Sequence, residues 1–308
     1  MEELMFDQVI NEYLEYAKLY LKPTSFLNVR RKINLHIKPY YKKSINKITE
    51  EDYIIWQKKI INLGYSESFN NQIQGIIKNL FNYMNSKYKI DNIPNRFHKI
   101  KSYKIQPKQN KNIWTIKEYK KFIKNVDSPE YKVLFELLFF TGIRKGEALA
   151  LRFNDIENGY ININKTITKE FFNGKRLETT PKTKKSIRKI RIDLKLRFEI
   201  NKLQKYYNKK YGYFNENMYL FGAIKPLATT TLERKKDYWC DKSKVKRIRI
   251  HDFRHTHATI LYNKKIDIKT IQERLGHSDI STTLNTYIHL DLKQEKKVQR
   301  TLFSLHYF

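Results

Sequence analysis

Apolar residues recur at helical spacing through residues 5–86 and predict four helices. Phe6, Val9, Ile10, Tyr13, Leu14 and Ala17 form the first stripe, which Pro23-Thr24 closes. A second helix starts after Thr24 and sets Phe26, Val29, Ile33 and Ile37 on one face, with Arg30, Arg31 and Lys32 beside it. Ile48-Thr49-Glu50-Glu51-Asp52 opens a third with the form of a capping box, Asp replacing the usual Glu. Ser66 opens a fourth, with Phe69, Ile73, Ile76, Ile77, Leu80, Phe81 and Met84 inward. These stripes read as core packing.

From Asn92 to Lys117 the chain has no acidic residue, while lysines and Arg96 accumulate around prolines 94 and 107. This composition predicts a basic linker at 106–112 between a helical domain, 1–105, and a second domain, 113–308. In the second domain Thr115-Ile116-Lys117-Glu118 is a capping box, and Ser128-Pro129-Glu130 starts a helix that ends near Thr141-Gly142. Gly159 to Asn164, Thr166 to Phe171 and Ile187 to Ile192 read as strands, with Asn173-Gly174 as a hairpin turn. From Leu194 onward the pattern is helical to the end. The expected fold class is mainly α with a small antiparallel β-sheet, α+β.

Charge narrows the function. Among 308 residues there are 62 Lys and Arg against 31 Asp and Glu, a net charge of +31. Lysine accounts for 47 of the bases, a skew that AT-rich coding alone can produce. Codon bias exchanges Arg for Lys, however, and does not halve the acids, so the excess is physical and points to nucleic acid. Both parts share it: residues 1–110 carry 19 bases and 10 acids, and 111–308 carry 43 and 21. A basic linker between two basic domains suggests a clamp on a duplex, with Arg30, Arg31, Lys101, Lys104 and Lys184 as candidate DNA contacts. A single cysteine, Cys240, excludes a disulfide framework and a multi-cysteine metal site. No apolar run is long enough to span a bilayer, and the acidic Met1-Glu2-Glu3-Leu4 is not a signal peptide. What remains is a soluble, intracellular, polyanion-binding protein.

Three strings carry the candidate chemistry. Thr141-Gly142-Ile143-Arg144-Lys145-Gly146-Glu147 sets a guanidinium just after a helix-ending glycine, a mount suited to a planar oxyanion, with Glu147 able to brace it. In His251-Asp252-Phe253-Arg254-His255-Thr256-His257 an imidazole and a guanidinium share a helical face. The His251 and His255 spacing also fits a zincin helix, but Asp252 is one methylene short of that base and Arg254 would repel the metal. His255 and His257 can equally be packed or solvent-facing. Finally, Leu275-Gly276-His277 precedes Tyr287 by a short Thr-rich segment.

Together these strings resemble the tyrosine recombinases of the phage integrase family, and the resemblance covers the whole chain. It implies a helical core-binding domain followed by a catalytic domain, forming a C-shaped DNA clamp. By the resemblance the catalytic set is Arg144, Lys182, His251, Arg254, His277 and Tyr287, with Glu147 supporting. Lys182 lies in Thr180-Pro181-Lys182-Thr183-Lys184-Lys185, so Lys184 and Lys185 compete for the hairpin lysine. Two departures are visible. The helical stripe begins at once, so arm-site binding through a small N-terminal domain is not expected of this chain, and Arg191-Ile192-Asp193 stands where the family has a proline-containing strand end.

The implied activity is site-specific cutting and rejoining of DNA through a 3′-phosphotyrosyl intermediate, for integration or excision of a mobile element. Two guanidiniums take the part that metals play in nucleases, so no metal, cofactor or nucleotide is expected. A type IB topoisomerase-like enzyme or a chromosome-dimer-resolving recombinase is the alternative, and a non-catalytic DNA-binding protein is the rival of a different class. Expected partners are double-stranded core sites, three further protomers on synapsed DNA, and an excisionase or bending factor; the free protein is expected to be a monomer. The tail 291–308 is rich in apolar residues, including Leu302, Phe303, Leu305 and Phe308, and suggests a segment that docks on a neighbouring protomer.

Overall fold

Thr49 and Ser66 cap helices as their side chains suggest. The Thr49 hydroxyl accepts the Asp52 N–H at 3.3 Å while the Asp52 carboxylate accepts the Thr49 N–H at 3.0 Å. Ser66 Oγ accepts the Phe69 N–H. A computed structural model describes residues 3–101, 113–172, 175–181 and 186–276. The chain divides into two units, Met1–Gln109 and Asn110–Phe308.

In the first unit α1 (Phe6–Tyr20), α2 (Pro23–His36), α3 (Glu50–Asn62) and α4 (Glu67–Tyr88) enclose one core. Phe6, Ile10, Ile33, Trp56, Ile77 and Phe81 are fully buried there, and the Trp56 indole donates to the His36 carbonyl at 2.7 Å. The second helix starts at Pro23, earlier than the sequence suggested. Proline fits the first turn because its missing N–H has no intrahelical partner there.

The second unit opens with α5 (Ile116–Lys124), which has the Thr115–Glu118 box, and α6 (Pro129–Thr141). Gly142 ends α6 at φ +66°, and α7 (Lys145–Ala150) follows at once. A three-stranded antiparallel sheet runs in the order β1 (Ile156–Glu157), β2 (Tyr160–Ile163), β5 (Arg188–Arg191). Strands β3 (Thr166–Phe172) and β4 (Lys175–Thr179) pair separately, with Phe172 opposite Lys175. Four helices follow among the described residues: α8 (Leu194–Tyr211), α9 (Thr229–Lys242), α10 (Ile250–Asn263) and α11 (Ile268–Leu275).

The expectation of unbroken helix after Leu194 fails between α8 and α9. Gly212, at φ +76°, ends α8, and the chain then returns to the strand layer. There the Phe153 N–H donates to the Met218 carbonyl and the Leu220 N–H to that of Leu151. These long-range backbone bonds replace the helical ones. Phe122, Phe135, Trp239 and Phe253 form the centre of the second core, with the rings of Phe135 and Phe253 stacked. Cys240 is fully buried in the same core, and burial pushes its thiol up to about 11.

Candidate active site

Three successive carbonyls at the C-terminal end of α11 each accept a guanidinium. Arg188 Nε donates to the Arg274 oxygen at 2.8 Å, Arg254 Nη2 to that of Leu275 at 2.7 Å, and Arg144 Nη2 to that of Gly276 at 3.0 Å. The last carbonyls of a helix lack intrahelical donors and carry the negative end of its dipole, so cations are favoured there. Gly276 at φ +66° turns the chain out of α11, and a Cβ on it would lie 3.1 Å from Arg188 Nη1. Glycine adopts that backbone without strain and leaves room for the guanidinium.

Arg144 stands between Gly142 and α7, in extended conformation. Its own N–H and its Nη1 donate to the two oxygens of Glu147, at 2.9 and 2.8 Å. Glu147 is 3% exposed and also accepts both Nη groups of Arg188, at 3.2 and 3.0 Å. Burial pushes the Glu147 carboxyl up, but the hydrogen bonds and charge of Arg188, with the charge of Arg144, outweigh it and hold the carboxyl below its ordinary value. The Arg144 side chain keeps 36% exposure, whereas that of Arg188 keeps 8%. Arg144 therefore presents charge to solvent and Arg188 supports from beneath.

Arg254, on α10, is buried and also donates to the Gly142 carbonyl at 2.9 Å. It thus joins the end of α6 to the end of α11. His251, one turn earlier, is exposed at the start of α10. Partial desolvation, then the positive charges of Arg254, Arg249 and Arg144, lower its pKa against the opposing charge of Asp252. The imidazole is accordingly neutral at physiological pH, able to accept a proton. Both oxygens of Asp252 accept from the Arg249 guanidinium, which occupies the carboxylate that a zincin-like helix would need. No group of three or more His, Cys, Asp or Glu able to hold a metal ion exists among the described residues.

The geometry brings together Arg144, Glu147 and Arg254, with His251 in their electrostatic reach. Lys182, Lys184, His277 and Tyr287 lie outside the described residues, as does Lys104. Arg30, Arg31 and Lys101 are exposed on the first unit. Sequence reasoning missed the roles of Arg188 and Arg274, while His257, read as packed or solvent-facing, is packed. His257 Nδ1 lies 2.8 Å from the Phe139 carbonyl, and Arg274 Nε donates to its Nε2 at 3.3 Å. Arg188 did leave a signal: it shares strand parity with buried Ile190 and Ile192, so it had to point inward and meet an acid.

Comparison with known proteins identifies the family. Residues 105–294 match the phage integrase family model, and residues 5–61 match the phage integrase N-terminal SAM-like domain. The ICEBs1 integrase of Bacillus subtilis (strain 168) is 31% identical over 97% of this chain and 83% of its own length. The integrase of Staphylococcus phage L54a is 26% identical over the full chain and 95% of its length. Among solved structures, the Tn1549 transposon integrase in complex with a circular intermediate DNA superposes with a TM-score of 0.75 at 20% identity, covering 97% of this chain and 99% of that one. A lambda integrase tetramer bound to a Holliday junction gives 0.67 at 17% identity, covering 92% and 78%. With matching models in both units and a relative aligned along nearly its whole length, the chain belongs to the phage integrase family of tyrosine recombinases.

Proposed function

We propose that this site-specific DNA recombinase cuts and rejoins duplex DNA at the ends of a mobile element, with Tyr287 as nucleophile. The convergence of Arg144 and Arg254 on the last carbonyls of α11 carries the reading, because His277 follows Gly276 directly. In the first step the Tyr287 oxygen bonds to the scissile phosphorus and the bond from phosphorus to the 5′-oxygen breaks. A tyrosine phenol has a pKa of about 10, so its proton must leave during attack, and the neutral His251 imidazole receives it. The 5′-oxygen leaves with a proton from Lys182, or from Lys184 in the competing register. Arg144, Arg254 and His277 stabilise the charge that builds on the non-bridging oxygens. A 5′-hydroxyl from a partner strand then reverses the step, displacing Tyr287 without ATP because the phosphodiester energy is conserved.

Each basic unit and the linker 106–112 contact the duplex, with Arg30, Arg31, Lys101, Lys104 and Lys184 on its phosphates. On two synapsed sites four protomers assemble, each donating the tail 291–308 to a neighbour; free in solution the protein is a monomer. The neighbouring tetramer on a Holliday junction supports that assembly. An excisionase or bending factor is a further partner of this reading. Among the described residues no helix is long and apolar enough to cross a membrane.

The test is a suicide substrate selected from a library of element ends. Wild-type protein should give a denaturation-resistant protein–DNA adduct and Tyr287→Phe none, with half-site binding unchanged. An adduct with the Phe variant would assign the nucleophile elsewhere.

A further inference from the structure

We infer that Arg188 is a positioning residue for DNA cleavage, acting through Glu147 on Arg144; the inference rests on the role proposed for Arg144. All three nitrogens of the Arg188 guanidinium donate within the protein, through four of its five N–H groups. Nε bonds the Arg274 carbonyl, Nη1 the Ser186 carbonyl and Glu147 Oε1, and Nη2 Glu147 Oε2. With its side chain 8% exposed and bound to both Glu147 and the Arg274 carbonyl, it is placed to hold protein groups.

Its partner explains the purpose. The two oxygens of Glu147 accept Nη1 and Nη2 of Arg188 on one side and the N–H and Nη1 of Arg144 on the other. A carboxylate held by Arg144 alone could rotate with that half-exposed side chain. The bidentate pair from Arg188 fixes the carboxylate plane, and the plane in turn fixes the direction of the Arg144 guanidinium. The bond from Arg188 to the Arg274 carbonyl sets this pair against the same helix end that receives Arg144 Nη2. Position therefore passes from β5 through a buried carboxylate to the cation facing solvent. Lysine cannot substitute, since an ammonium lacks the planar fork that spans two carboxylate oxygens.

Such a residue should lower the rate of cleavage while leaving DNA affinity alone, and its effect should need Arg144. The experiment measures single-turnover adduct formation on a suicide duplex that the wild-type protein cleaves, using Arg188→Lys, Arg144→Ala and the double variant. Arg188→Lys should slow cleavage about 10–100-fold in the wild-type background, less than the roughly 10²–10³ for an outright lost transition-state donor because Arg144 is displaced rather than removed, and less than about threefold in the Arg144→Ala background. A duplex with a neutral methylphosphonate at the scissile position supplies a second readout. Less anionic charge needs less of the clamp, so Arg188→Lys and Arg144→Ala should both gain rate relative to wild type on it. Because loss of the fork can loosen the buried pair, Arg188→Gln combined with Glu147→Gln provides a charge-neutral version with the same two predictions. Equal losses with and without Arg144, or no relative gain on methylphosphonate, would overturn the inference. If Arg144→Ala itself cleaves normally, the assigned role of Arg144 falls first and the inference with it.

Discussion

A Cβ placed on Gly142 would lie 2.6 Å from Cδ2 of His257. The end of α6 and the middle of α10 are therefore packed to the limit that a hydrogen atom allows, directly beneath the Arg254–Gly142 contact.

Gly142→Ala should thus destabilise the second unit twice over. The left-handed backbone costs about 1–2 kcal/mol for an alanine, and forced overpacking about 1–3 kcal/mol more. Urea denaturation should show a combined loss of roughly 2–5 kcal/mol. An unchanged midpoint would mean that α6 and α10 are free to separate.

Arg144→Ala and Arg254→Ala should both cut adduct formation by about 10²–10³ with little change in half-site affinity. They should differ in stability. Removing Arg254 leaves the buried Gly142 and Leu275 carbonyls without that donor, at a cost of about 1–3 kcal/mol, whereas Arg144 is half-exposed. Thermal melts that move equally for the two variants would contradict this distinction.

The stability of the second unit should fall in acid through His257. Burial, followed by the charge of Arg274, lowers its pKa to about 4. A histidine depressed in the folded state favours the neutral form, so its contribution is complete above the ordinary value near 6.5 and is lost as pH falls toward 4. The gap between the two values is on the order of 3 kcal/mol. Comparing denaturation of wild type and His257→Gln from pH 7 to pH 4 checks this: the wild type should lose more stability across that window.

The acid limb of cleavage should lie below the ordinary histidine value of about 6.5, because partial burial and the charge of Arg254 lower the His251 pKa. A pH–rate profile of adduct formation should place the limb there and lose it in His251→Gln. A limb at or above the ordinary value would remove His251 as the proton acceptor.

Binding should be steeply salt-dependent, given a net charge of +31. With about 6–10 phosphate contacts, affinity should drop roughly 10³–10⁵-fold between about 50 and 200 mM salt. A flat response in a filter-binding titration would contradict contact by both units.

Local chemistry was readable before any coordinates. The boxes at Thr49 and Thr115, the serine cap at Ser66 and the glycine stop at Gly142 each depend on residues within one turn of one another. Arg144, Glu147 and Arg254 were readable because their strings resemble a family pattern. The bonds that organise the site were not, since Arg188 meets Glu147 across 41 positions and Arg254 meets Gly142 across 112. The return of residues 213–228 to the strand layer escaped for the same reason: its pairing partners, Leu151 and Phe153, lie far upstream.

Cys240 has a practical consequence. The chain's one sulfhydryl is sealed in the core and its thiol pKa is raised, so maleimide reagents at neutral pH should pass it by. A cysteine introduced at exposed Lys58 or Lys205 would then be the sole target for a dye, with no background substitution required. Carrying one fluorophore on each unit, the protein becomes its own ruler, and energy transfer between the two dyes would follow both units as they settle on a duplex, one molecule at a time.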